Sequence, residues 1–405
     1  MHPYADAMAY DIARIRSMFP SLTTGWAHFD GPGGTQTPRA VGDAIQSTLL
    51  RPLSNRGTSA PSEQNADDAV TEFRLAAADL LGADPAGIVH GRSATQLAYD
   101  FSRHLAQRWS PGDEIVVTRL DHDSNVRPWV QAAERAGATV RWIDLDPETG
   151  ELVDAAKAVT SATRLVAVTA ASNLIGTKPD VRGIADAAHA VGALVYVDGV
   201  HFTAHELPDI RSLGADLFVC SPYKFLGPHC GILAADPALL ETIEPDKLLP
   251  STNRVPERFE FGTLPYEQLA GVTAAIDLLA GLDDEAAGSR REQLTTSFAA
   301  MHAHESALLE RLEAGLRELP GATIWSRAAR RTPTLLVTVD GADTAALSAG
   351  LAERRVLAPS DNFYALEASR RLGLGDAGGL RLGLAPYSTT DDVDRAIEGL
   401  AAQLG

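Results

Sequence analysis

Cysteine is scarce in this chain of 405 residues: there are two, Cys220 and Cys230, both inside one apolar stretch. Two thiols so placed make no disulfide framework, which fits a reducing compartment. They read as packed core residues, because a nucleophilic thiol needs exposure and a neighbouring positive charge. Basic clusters are also lacking. Formal charge is −18, with 35 Lys and Arg scattered against 53 Asp and Glu, so most of the surface repels a phosphate backbone and nucleic acid is not an expected partner. No apolar run approaches the ~20 residues that cross a bilayer. The opening MHPYADAMAYDIARIRSMFP has neither the basic start nor the apolar core of an export signal. A cytoplasmic protein without a membrane partner is therefore expected. No internal repeat or low-complexity linker is found, and the remainder, 45% hydrophobic and 22% charged, is ordinary for a folded chain too long for one compact domain.

What is present between residues 85 and 236 is an alternation of apolar runs and amphipathic stretches. The runs IVHG, DEIVVTRL, TVRWIDL, RLVAVTAAS, LVYVDGV, DLFVCSP and CGILAAD predict seven strands. Helices such as VRPWVQAAERAG and DVRGIADAAHAVG fit between them, each closing on glycine. Continuous apolar strands separated by helices imply a mostly parallel sheet covered on both faces, with ligands bound at the carboxyl ends of its strands. Helical patterns over roughly 265–318 then lead to a fresh strand (TPTLLVTVDG), a helix (DTAALSAGLAERRV), a Gly-rich turn, a strand (LRLGLAPYS) and a closing helix. That is a small α/β domain, packed closely enough on the first to enclose a cleft.

Polar residues interrupt the apolar runs at their ends. Lys224 follows LFVC and precedes FLGPHCGILAA, so its charge is poorly solvated; desolvation lowers a lysine pKa, and a neutral amine can form a Schiff base. Asp198 and His201 in VYVDGVH close another strand, as a carboxylate suited to a heteroaromatic N–H⁺ and a donor for a phenolic oxygen. Asp198, His201 and His205 could instead hold a divalent ion, but DGVHFTAHELP lacks HExxH order and offers no further ligand, so no metal is expected. Ser93, Ala94 and Thr95 stand where a strand passes into a helix, a place suited to an anion or to simple N-capping. Ser221 is a further phosphate contact. His122 and Asn173 lie just past two more strand ends, suited to stacking on a planar group and to polar binding, or to turn formation. Arg381 sits inside an apolar strand of the second domain, suited to a carboxylate or to an interdomain salt bridge. Thr263, beside a glycine in FEFGT, is a phosphate contact if a second subunit brings it close. The glycines of FDGPGGTQTP match neither a P-loop nor GxGxxG.

In this order the parts resemble the class V aminotransferase superfamily of fold-type I pyridoxal phosphate enzymes, particularly its cysteine desulfurase-like branch, over nearly the whole chain. The resemblance implies an α/β fold-type I transferase: an N-terminal arm (1–28) packing on the small domain, a large cofactor-binding domain (29–285) with a mostly parallel seven-stranded sheet, and a small C-terminal α/β domain (286–405). It implies pyridoxal 5′-phosphate as cofactor and Lys224, His122 and Asp198 as catalytic residues. Lys224 is the Schiff-base lysine, Asp198 pairs with the pyridine nitrogen, His122 stacks on the ring and His201 stands near the phenolic oxygen. Ala94, Thr95, Ser221 and an altered Tyr223 surround the phosphate, with Thr263 completing the neighbouring site of a homodimer. Asn173, Arg381 and Arg56 hold the substrate amino acid. One departure stands out: SDNFYALEASRRLGLGDAGG has no cysteine where true desulfurases carry a mobile-loop one. The reaction expected is therefore β-elimination or C–S cleavage through an external aldimine without a persulfide cysteine. Transamination or epimerisation at the same site, and a non-catalytic partner-binding relative, are the alternatives.

Overall fold

A computed structural model describes residues 10–404, so residues 1–9 of the expected arm lie outside them. Strand β1 (Ala27–His28) leaves the N-terminal segment. The alternating region then lays down β2 (Ile88–Gly91), β3 (Glu114–Thr118), β4 (Thr139–Leu145), β5 (Leu152–Val153), β6 (Thr163–Thr169), β7 (Leu194–Asp198), β8 (Leu217–Cys220) and β9 (Gly231–Ala235). These last eight form one sheet in the order β2-β9-β8-β7-β6-β3-β4-β5. Strands β8, β7, β6, β3 and β4 run parallel, β9 lies antiparallel between β2 and β8, and β5 is antiparallel on the β4 edge. The seven longer strands are those the apolar runs predict. The sheet gains an eighth because β5 has only two residues, too few to leave a hydrophobic signature.

Alternate residues along each strand face opposite helical layers. Val116, Val166, Val168, Val195 and Val197 pack with Phe73, Ile184 and Ile276, while Ile115, Val117, Leu165, Ala167 and Tyr196 pack with Leu97, Phe101 and Trp129. Two covered faces require an apolar residue at every position, which is why these strands read as unbroken runs. The helix Arg127–Ala136 closes on Gly137 at φ 72°. The helix Val181–His189 closes on Gly192, whose amide bonds His189 O while the Ala193 amide reaches Ala188 O, a Schellman ending.

The helix Arg290–Arg317 opens on a capping box between Ser289 and Glu292 and joins the two cores. Leu294, Phe298 and Met301 pack in the larger one, Leu308, Leu312 and Leu316 in the smaller. The smaller unit is built on β10 (Ala322–Ile324), β11 (Thr334–Val339), β12 (Val356–Leu357), β13 (Ser360–Asp361) and β14 (Gly379–Gly383). Four of these form an antiparallel sheet, β10-β11-β14-β13, while β12 pairs in parallel with β1. The N-terminal segment touches both units: Ile15, Phe19 and Leu22 lie in the larger core, Ala27 and Phe29 in the smaller. Among the described residues no helix is long and apolar enough to cross a membrane.

Candidate active site

Strand β8 ends at Cys220, and a single 3₁₀ turn, Pro222–Lys224, separates it from β9. Thr35 braces that turn: its amide and hydroxyl both donate to Tyr223 O (3.0 and 3.1 Å), and its hydroxyl accepts from the Leu226 amide (2.9 Å). Strand β7 ends at Asp198 and β6 at Thr169; His122 and Asn173 follow the ends of β3 and β6. Beyond β2, Ser93 caps the helix Ala94–Ala106 by accepting from the Gln96 amide (3.0 Å). The Ala94 and Thr95 amides precede the first intrahelical bond and remain free for an anion. Strand β9 passes very close behind them: a Cβ on Gly231 would fall 2.4 Å from Ser93 C and 2.6 Å from Ala94 N.

These ends converge on one cavity of about 450 Å³, its open mouth included. Lys224, Asp198, His201, His122 and Asn173 line it, together with Ala94, Thr95, Ser221 and Tyr223. Thr169, Ala171, Val200 and Ser124 share the wall; the sequence offered them only as neighbours of the residues singled out.

Lys224 is 6% exposed. Its amine makes no side-chain hydrogen bond among the described residues, and it lies 5.9 Å from the centroid of the Tyr223 ring. Burial, with the Arg381 charge adding to it, pulls its pKa down to about 8 against the opposing pull of Asp198 and Asp30. Burial pushes the Asp198 carboxyl up, although Oδ1 accepts from the Val200 amide (2.8 Å) and Lys224 lies near. A buried carboxyl in that state favours a cationic partner. His201 is held well below its ordinary range, mainly by burial. Its Nε2 meets Thr332 and Thr334 hydroxyls (2.9 and 3.1 Å), and its buried Nδ1 has no partner. His122 is brought down to about 3 by burial and by the Lys224 and Arg381 charges. Its Nδ1 accepts from the Ser124 amide (3.1 Å), which leaves the ring proton on Nε2. The loop carrying it is anchored by Asp121, which accepts from Asn125 Nδ2 (2.7 Å), and Asn125 in turn accepts from Trp129 Nε1 (3.0 Å).

Three expected residues do not line this cavity. Arg381 adjoins the lining through Asn173: Nη1 donates to Asn173 O (3.1 Å), Nη2 pairs with Asp30 (2.7 Å), and the centroid of the Phe363 ring lies 3.6 Å from Cζ. Thr263 borders a separate surface depression with His90 and the half-exposed Phe261. Arg56 is tied to Asp67 (2.8 Å) and Glu257 (3.2 Å), so its fork is already engaged within the chain and it is not brought to Lys224. Asp30, Phe363 and Tyr364 were missed. Tyr364 stacks on His122 with ring centroids 5.4 Å apart, and Asn173 Nδ2 donates to Phe363 O (2.9 Å). Their only sequence signal was position, beside the glycines of FDGPGG and within SDNFYALEA. Both cysteines are buried, and burial pushes the Cys220 thiol well up and the Cys230 thiol up to about 12, which suits packing and not nucleophilic chemistry.

A family model described as aminotransferase class-V matches residues 27–396. A relative from Mycobacterium tuberculosis, described as an uncharacterized protein, is 35% identical, covering 98% of this chain and 100% of its own. One from Pseudomonas aeruginosa, described as a probable cysteine desulfurase, is 31% identical, covering 94% of this chain and 95% of its own. The solved structure of the cysteine desulfurase CsdA from Escherichia coli matches with a TM-score of 0.85 at 25% identity, covering 98% of this chain and 99% of that one.

Proposed function

The chain belongs to the aminotransferase class-V family, whose members are pyridoxal phosphate-dependent enzymes acting on amino acids, and from that premise we propose that it is a lyase. It removes a sulfur leaving group from the β-carbon of an amino acid without passing the sulfur to a protein cysteine.

The residues fit the cofactor. Ala94 and Thr95, whose amides precede the first intrahelical bond, the buried Asp198, and His201, whose buried Nδ1 has no partner, all line the cavity where Lys224 lies. Lys224 would take the aldehyde, Asp198 the ring N–H, His122 one ring face and His201 the phenolic oxygen, with Ala94, Thr95 and Ser221 at the phosphate. When bound, the cofactor supplies an electron sink for negative charge at the substrate α-carbon. Lys224, neutral in an appreciable fraction near pH 8, takes the α-proton as general base; the electron pair left at the α-carbon forms the Cα–Cβ double bond as the Cβ–S bond breaks, and the protonated Lys224 gives its proton to the departing sulfur. Asp198 holds the opposing negative charge in a water-poor site, where charge pairing is strong. Arg381 orients the substrate carboxylate, and Asn173 fixes the guanidinium through its backbone carbonyl.

The observation that carries this reading is Lys224 itself, a buried side chain with no hydrogen bond among the described residues, in a cavity with Asp198. The absence of a thiol from residues 355–380 and the packing of Cys220 and Cys230 are what favour elimination over persulfide chemistry. The test is incubation of the loaded protein with a panel of sulfur-containing amino acids. Sulfide or thiol release with a keto acid in equal amount is expected; amino-group transfer to an added keto acid, or the opposite enantiomer, without sulfur release would reject the lyase reading.

A further inference from the structure

Arg381 does not offer an open fork. Of its three nitrogens, Nη1 donates to Asn173 O (3.1 Å), Nη2 donates to Asp30 (2.7 Å), and Nε is buried without a partner. The Phe363 ring closes one face at 3.6 Å. A carboxylate that is to bind in bidentate fashion must take over a position now filled from within the chain. Asn173 O belongs to the backbone of a buried turn. Asp30, by contrast, presents a side chain 34% exposed against 2% for Arg381, so it is the acceptor able to swing away into solvent.

We propose that Asp30 is a specificity-determining residue, a resident carboxylate that occupies the Arg381 fork and must be displaced by the carboxylate of the substrate. The inference rests on the reading of Arg381 as the carboxylate-binding residue. It explains why a buried guanidinium is tolerated in the unliganded chain, where an unpaired one would be costly. It also gives a role to the FDGPGG turn, which matches no phosphate-binding motif. A simple anion has to compete with a tethered carboxylate, and an amino acid gains the advantage through the second attachment of its amine.

Propionate lacks the amine, so it reports carboxylate capture without turnover. By calorimetry on the cofactor-loaded protein, Asp30→Asn should bind propionate about fivefold more tightly than the unaltered chain. Arg381→Lys should weaken propionate binding and erase the gain when combined with Asp30→Asn. Asp30→Ser, with the same expected direction, serves if the asparagine variant melts too early to be measured. If neither Asp30 variant tightens propionate binding while Arg381→Lys still weakens it, the resident-carboxylate inference falls and the reading of Arg381 stands. If Arg381→Lys leaves propionate binding unchanged, both fall.

Discussion

Lys224 is one of only four lysines in the chain. Lys157 pairs with Asp154, Lys178 with Glu206, and Lys247 donates to Ser251 O; Lys224 alone lies in the cavity. Its pKa of about 8, against an ordinary 10.5, follows mainly from burial. The rate at which the cofactor-free chain captures pyridoxal phosphate should therefore climb through about pH 8, read by absorbance, where an ordinary lysine would require pH near 10.5. Between those two values the unfolded chain holds a proton that the folded chain lacks, so stability rises with pH across that window and is lost as pH falls towards 8. Lys224→Met should flatten that slope in the cofactor-free protein, measured by denaturant midpoints at successive pH values; an unchanged slope would place the shift elsewhere. Lys224, Asp198 and Arg381 stand out in the sequence because charged groups inside apolar runs conflict with their surroundings; Lys224 and Asp198 line the cavity, and Arg381 does not. Asp30 and Phe363 were not. The Asp30–Arg381 contact spans 351 positions, and Arg56 meets Glu257 across 201, separations at which a single sequence carries no pairing signal.

At the scale of elements, the site depends on β9 and the helix Ala94–Ala106 approaching more closely than side chains permit. Gly231→Ala would drive a methyl into the Ser93 and Ala94 backbone, which cannot rotate away. An expected loss of about 1–3 kcal/mol should show as a lower denaturant midpoint, with weaker cofactor retention because the free amides at Ala94 and Thr95 move. Retained affinity despite a lowered midpoint would show that the helix start takes no part in anion binding. The long strands were legible because burial on both faces demands unbroken apolar runs. Strands β5, β12 and β13 have two residues each and are defined by their partners, so nothing local announces them. The short helix Leu366–Arg371 likewise follows from packing, with Ala368 lying among Leu120, Leu145, Leu174 and Leu336, and not from its own periodicity.

At the scale of the whole molecule, the family's members are typically dimeric, and Thr263 lies on a surface depression away from the Lys224 cavity of its own chain. Acting across a dimer, it would leave Thr263→Ala with poor cofactor retention, while co-refolding with Lys224→Ala chains would restore one intact site per mixed dimer. Restored turnover is expected; none would assign Thr263 to no neighbouring site. Domain packing was less legible than fold class, since the helix Arg290–Arg317 serves two cores along one continuous pattern. The central claim, that one buried amine carries the cofactor, is tested most directly by borohydride reduction of the loaded protein, digestion and mass spectrometry. The pyridoxyl phosphate group is expected on the peptide containing Lys224 and absent from Lys224→Ala; a label on Lys157, Lys178 or Lys247, or no label at all, would contradict it.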